Sequence, residues 1–417
     1  MTESEAGPGF SAPAMDSGNG PEITSDRRPE SFLLRDDLQW LMRRLQEDGY
    51  TIVGPKVDQG AIVYGELTGV SDLPQGWTDQ QQPGQYRLVP RDDQRMFGYV
   101  PGPHSWKQFL FPPAAIVATA QRVGSSWQMS TPDEPAPRYA FLGVRSCELS
   151  AIAIQDKVFL GGAFVDPHYQ RRRDAVLLIA VNCTQAAPVC FCTSMKTGPR
   201  CQSGFDLALT EIDTGFLVEI GSERGRLLVE TLPLRPAVSE EIRAGERGRA
   251  DAERQVTKQM DTEGLHDLLL QQLKSPHWET VAERCLSCTN CTMVCPTCFC
   301  SSVTEVSDLS GDRVQRERQW DSCFNVDFSR VNGIPSRDSI SSRYRQWLTH
   351  KLATWQDQFG TSGCVGCGRC ITWCPPGIDL TEEVRTLRHL AEAETAGVTM
   401  AEPGPQGPSR QTEKGRG

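Results

Sequence analysis

In "RDDLQWLMRRLQEDG" (35–49), Leu38, Leu41, Met42 and Leu45 recur at spacings of three and four. That puts them on one face of a helix, which Gly49 can stop. The runs "YTIVG", "AIVYGEL" and "YRLV" that follow are short and rich in β-branched and aromatic residues, and each predicts a strand. "YAFLGV" (139–144) predicts another, and "CELSAIAIQDKVF" behind it a helix, giving a strand–turn–helix unit with Cys147 at the turn. "AVLLIAV" (175–181) is apolar without interruption, as a strand buried on both faces must be, and Cys183 falls just past its end. "GFLVEIG" and "RLLVETL" predict a hairpin around the polar "SERG".

From Leu265 the period changes. "LHDLLLQQLKSPHWETVAER" is helical with a break near Pro276, and "SSRYRQWLTHKLATWQDQFG" is a second amphipathic helical stretch. The expected fold class is α+β: a mixed α/β domain over residues 31–263, then an α-helical domain over 264–396. Residues 1–30 and 397–417 are rich in Gly, Pro, Ser and charge, and are expected to be disordered. The pair Arg27–Arg28 is followed by charge and not by the apolar stretch of an export signal, so the expected compartment is the cytoplasm. No apolar run reaches the ~20 residues that span a bilayer. A net charge of −10 argues against a nucleic-acid partner.

The chemistry lies in 16 cysteines. In a reducing compartment such a number points to metal binding before disulfides. The spacing Cys285-x₂-Cys288-x₂-Cys291-x₃-Cys295-Pro296 recurs as Cys364-x₂-Cys367-x₂-Cys370-x₃-Cys374-Pro375. This is the run that binds [4Fe–4S] cubanes, in which the fourth cysteine of each run ligates the other cluster. The expected ligand sets are therefore Cys285, Cys288, Cys291 and Cys374 for one cluster, and Cys364, Cys367, Cys370 and Cys295 for the second. Gly363, Gly366 and Gly368 are expected to let backbone N–H groups approach the cluster sulfurs. Structural zinc, which prefers two C-x₂-C pairs closing one tetrahedral site, fits two triplets with Cys-Pro poorly. The 68 residues between Cys295 and Cys364 exceed the link of a compact β-rich ferredoxin and favour a helical dicluster ferredoxin domain.

"VNCTQAAPVCFCTSMKTGPRC" adds Cys183, Cys190, Cys192 and Cys201. If the strands ending at Val144 and Val181 are parallel neighbours, Cys147 and Cys183 meet at the carboxyl edge of the sheet, where open α/β sheets place their sites. A third cluster on Cys147, Cys183, Cys190 and Cys192 is expected, with Cys201 as the substitute ligand. Cys298, Cys300 and Cys323 could hold a further cofactor, line the clusters, or simply pack.

"YAFLGVRSCELSAIAIQDKVF", "VNCTQAAPVCFCTSMKTGP", "GFDLALTEI", "CTMVCPTCFC", "WDSC", "GCVGCGRCITWCPPGIDL" and "SWKQFLFPP" together resemble the iron–sulfur β subunits of cytoplasmic nickel–iron hydrogenases of the sulfhydrogenase type. They are also similar to the electron-transfer subunit of anaerobic sulfite reductase. The resemblance, over about residues 31–395, implies an electron-transfer subunit of a larger oxidoreductase complex. Its partners would be a flavin subunit handling NAD(P)H and the small and large subunits of a nickel–iron hydrogenase, or a sirohaem subunit in the sulfite-reducing case. The sequence departs from the pattern at Ser146, Glu148 and Cys201. No G-x-G-x-x-G follows a strand, none of the six histidines forms a metal-binding pair, and G-x-S-x-G is absent, so a carrier is expected rather than a catalyst. An iron–sulfur redox sensor is the alternative of a different class. His277, near the first run, is read as packed or solvated.

Overall fold

The computed structural model describes residues 31–131 and 135–396; the two expected disordered segments lie outside them. Its first half is built on an eight-stranded sheet. In chain order the strands are β1 (Ser31–Leu34), β2 (Thr51–Asp58), β3 (Ala61–Glu66), β4 (Trp77–Gln82), β5 (Gln85–Pro90), β6 (Ala114–Val123) and β7 (Ser126–Ser130). After them come β8 (Tyr139–Val144), β9 (Leu177–Val181), β10 (Leu207–Ile212), β11 (Gly215–Ile220), β12 (Arg235–Pro236), β13 (Ser301–Ser307) and β14 (Arg313–Trp320). The large sheet runs β12-β1-β11-β10-β9-β8-β2-β3. Its four central strands β2, β8, β9 and β10 are parallel, and antiparallel strands flank them.

Both faces of the sheet are covered, which explains the unbroken apolar runs. Neighbouring residues split between the two sides: Ile52, Leu142, Ile179 and Leu209 pack with the helix Leu38–Glu47. Val53, Phe141, Leu178 and Ala208 pack on the other side with Trp106 and Tyr169. The predicted face Leu38, Leu41, Met42 and Leu45 is buried. The crossover from β8 to β9 contains the helix Ser146–Leu160, so Cys147 sits in its first turn.

The hairpin expected around "SERG" does not form. Strand β11 pairs instead with β10, and Glu223–Val229 is a helix. Ser222 decides this locally: its hydroxyl accepts the Gly225 N–H at 3.1 Å, an N-cap that starts a helix where alternation alone suggested a strand.

The second half carries the helices Leu265–Gln271 and His277–Arg284, broken at Pro276 as expected, and a long helix from Ile340 to Phe359. Within the latter, His350–Thr354 widens into a π turn. Between the two cysteine runs lies a hairpin that the helical reading missed, β13–β14, which joins β6 and β7 in a sheet ordered β13-β14-β6-β7. Its strands are largely exposed and polar, so hydrophobic periodicity has nothing to report there.

Candidate iron–sulfur centres

The two C-x₂-C-x₂-C runs fold alike. In the first, Ser287 and Thr289 have φ of 51° and 69°; at the matching positions of the second, Gly366 and Gly368 have φ of 66° and 77°. Each left-handed residue turns the chain so that successive thiols face one way. The bond that results is the same in both: Ser287 N–H donates to Cys285 Sγ, and Gly366 N–H to Cys364 Sγ, each at 3.5 Å. Gly363 behaves otherwise than expected, since its N–H donates to the Lys351 carbonyl at 2.8 Å.

Cys285, Cys288, Cys291 and Cys374 line one hollow, which Cys370 also lines, with Phe324, Tyr344, Trp347, Ile378 and Leu380 as apolar walls. Cys374 thus joins a triplet more than eighty positions earlier in the chain. The Cys364 and Cys370 thiols feel one another, Cys367 and Cys295, which gathers the second expected set. Cys147, Cys190 and Cys192 share the same apolar core, and each interacts electrostatically with Cys367. Cys183 is the neighbour of Cys190 and Cys192, at the end of β9 beside β8. Cys201, the substitute ligand, packs with Val144, Ala180 and Ala208 on a face of the sheet, its N–H donating to Asn182 Oδ1 at 2.8 Å, and its thiol also interacts with Cys183.

All-thiol donor sets in apolar hollows with N–H···S bonds fit a cubane. Among the described residues no three Cys, His, Asp or Glu groups close on a point as ligands of one metal ion do. A cubane asks for another arrangement, because each thiolate meets its own iron and the four sulfurs surround the group. Burial is the largest cause that pushes the thiols of Cys190 and Cys364 up to about 12, so their anions would need a bonded metal to persist there.

Buried cations surround these thiols, and no motif had pointed to them. Lys351, in the π turn, is 2% exposed and donates to Cys295 Sγ at 3.2 Å, Thr297 Oγ1 at 3.3 Å and the Gly363 carbonyl at 3.1 Å. Burial opposes its charge, but Cys295, Cys298 and Cys364 outweigh that and hold the ammonium well above its ordinary range. Arg369, fully buried beside Cys370, forms an ion pair with Glu148 and donates Nε to the Gly102 carbonyl at 2.9 Å. Its Nη1 has no protein acceptor. Glu148 also accepts from Tyr64 Oη at 2.8 Å and Trp106 Nε1 at 3.0 Å. Arg145 donates to the Phe97 carbonyl at 2.6 Å and lies against Cys183. The departure at Glu148 is thus structural: its carboxylate ties the helix bearing Cys147 to the run bearing Cys370. His277 is packed, 2.7 Å from Glu383, which also accepts from Arg284 at 2.6 Å.

A model of a 4Fe–4S dicluster domain matches residues 284–378. Over 261 residues the chain is 35% identical to the β subunit of sulfhydrogenase 2 of Pyrococcus furiosus, an alignment covering 61% of this chain and 75% of that relative. No solved structure matches. No described helix is long and apolar enough to cross a membrane. With dicluster motif, thiol-lined hollow and relative in accord, the chain belongs to the family of iron–sulfur β subunits of sulfhydrogenases.

Proposed function

We propose that this chain relays electrons one at a time between a flavin subunit that handles NAD(P)H and the small and large subunits of a nickel–iron hydrogenase. The observation that carries the reading is the succession of thiol sets through one core. The loop of Cys190 and Cys192 is bonded to the second run, Phe191 N–H donating to the Gly366 carbonyl at 2.9 Å, and Cys370 lines the hollow of Cys285, Cys288, Cys291 and Cys374. Cys288 and Leu286, the latter 64% exposed, bring the last group to the surface. Three cubanes so placed would each supply a one-electron step. The protein's part is to hold the thiolates, exclude water with Trp347, Tyr344 and Phe324, and set potentials through N–H···S bonds and buried cations. No residue is assigned to bond-making on a substrate, and the compartment proposed is the cytoplasm.

Purification of the tagged chain from its own cell, without oxygen, tests the assembly. Nickel and flavin should copurify with it; sirohaem in place of nickel would shift the reading to a sulfite-reducing complex. A chain recovered without any redox partner, its iron responsive only to oxidants, would favour the sensor.

A further inference from the structure

Cys298, Cys300 and Cys323 belong to the surroundings of the clusters, where the buried Lys107 donates to the Cys298 carbonyl at 3.0 Å. A larger space that no cluster explains lies in the seam between the two halves. It is a cavity of about 650 Å³, a volume in the range of sites for small organic ligands. One wall is the helix Ser146–Leu160, on which Ser150, Ala153, Ile154 and Lys157 recur at spacings of three and four and so share a face. The loop after Cys192 supplies Met195, Lys196 and Thr197, and the helical half supplies Leu265, Leu352, Gln356 and Thr361. A smaller hollow of about 130 Å³ shares the wall of Ser150, Ala153, Lys196 and Thr197.

The charge here runs against that of the chain. The protein carries −10 overall, yet among the described residues no Asp or Glu lines either hollow. Lys157 and Lys196 line the larger one, and among the described residues neither ammonium meets a carboxylate. His266, which also lines it, engages Asp267 and Asp357 at 2.8 and 3.0 Å, so those carboxylates are already partnered. Lys196 sits in a left-handed turn with φ of 57°, which glycine or asparagine adopts more readily, its N–H donating to the Thr193 carbonyl at 3.1 Å. Gln356 and Thr361 add side-chain donors that no described group takes up. Two ammonium groups and neutral donors with no acid beside them suit a group carrying close to two negative charges, as a phosphomonoester does near neutral pH. A carboxylate would match only one of them. Ile154, Leu265 and Leu352, none more than 6% exposed, offer the rest of such a molecule an apolar bed, and Cys364 reaches the same cavity.

We propose that this cavity binds a phosphomonoester of mononucleotide size, with Lys157 and Lys196 on the phosphate and the organic part against Ile154, Leu265 and Leu352. The binding stands on the cavity alone. That its occupant lies against the second cluster rests on the function proposed above, through Cys364 as a ligand.

The full chain, purified without oxygen with its iron in place, is titrated calorimetrically with flavin mononucleotide, with adenosine monophosphate and with inorganic phosphate. The two nucleotides carry the same phosphomonoester on different organic parts. Saturation by the flavin assigns a redox-active occupant, and saturation by the adenosine compound alone assigns an effector; either supports the proposal. One site per chain is expected, at least about tenfold tighter than for inorganic phosphate. Lys157→Gln combined with Lys196→Asn should weaken it by about tenfold or more, asparagine keeping the left-handed turn. Ala153→Phe, which fills the cavity from an exposed helix position, should abolish it. Both variants should keep the iron content and unfolding temperature of the wild type; if Ala153→Phe does not fold, the lysine variant decides. Inorganic phosphate binding as tightly as the nucleotides, an adventitious ion only, would overturn the proposal. So would binding that survives the lysine variant, or no saturable binding of either nucleotide at millimolar concentration. A low iron count would contradict the cluster account and leave this binding unaffected.

Discussion

Lys351 is the residue whose charge bears most directly on the second thiol set, because its buried ammonium meets Cys295 Sγ at 3.2 Å. With Cys295 as the proposed ligand of the second cluster, a positive charge about 3 Å from its sulfur favours the reduced, more anionic state. Lys351→Met keeps the length and removes the charge. It should lower one cluster potential by on the order of 100 mV, read by redox titration with EPR, with iron content unchanged. An unaltered potential would mean that the charge is compensated. The two four-cysteine runs were legible at this scale because a dicluster motif fixes residue type and spacing together. Lys351, Lys107, Arg145 and Arg369 were not, since a lone basic residue carries no motif and its relevance arises only when the fold buries it beside a thiol.

The elements differ in how far they tolerate change, and the paired cysteine turns show it. A Cβ on Gly366 would sit 2.6 Å from the Phe191 carbonyl and 2.7 Å from Cys192 N, on backbone that is already left-handed. Gly366→Ala should therefore cost about 2–3 kcal/mol and displace the Cys190–Cys192 loop, lowering the unfolding temperature and the iron content. Ser287→Ala, at the matching position of the first run, adds no Cβ and removes the hydroxyl's bond to the Phe324 carbonyl at 3.1 Å, so it should shift stability by about 0.5–1 kcal/mol. The β4–β5 hairpin offers a pH-dependent counterpart. Asp79 accepts from Val100 N–H at 2.7 Å and Gln81 Nε2 at 2.8 Å, and Gln81 in turn accepts from Thr372 Oγ1 at 2.9 Å. Burial raises the Asp79 carboxyl to about 6. Because the folded value lies above the unfolded one, the stabilisation belongs to the protonated form and is lost as pH rises from about 4 through 6. Asp79→Asn removes this titration, so its stability relative to wild type should grow over that interval in melts at stepped pH. A constant difference would show that Asp79 titrates normally. At element level the buried strands and the helix with its face at Leu38 and Leu41 were readable, because burial writes period and apolar runs into the sequence. Hairpin β13–β14 and helix Glu223–Val229 were not: one is held by pairing with β6, the other by a single serine cap.

Across the whole molecule, the sheet half and the helical half meet at the cysteines, in the sheet β13-β14-β6-β7 and at several ion pairs, of which Arg369–Glu148 is the most buried. Arg369 and Glu148, 0% and 1% exposed as side chains, bridge the second run to the helix of Cys147. Removing one partner strands the other, so Arg369→Met should destabilise the chain by about 3–5 kcal/mol in denaturant melts. A change under about 1 kcal/mol would show that the halves do not depend on this bridge. The family and its dicluster chemistry were visible in the spacing of two runs; the buried cations that connect them to the sheet emerge only in three dimensions. The central claim, three cubanes in succession within one chain, is tested most directly by counting iron and acid-labile sulfide in the anaerobically purified protein, alongside Cys147→Ser. About twelve irons are predicted for the wild type and about eight for the variant, with the EPR signals of the run-bound clusters retained. About eight irons in the wild type, or a variant that loses none, would contradict the third site; fewer than about four would contradict the account as a whole.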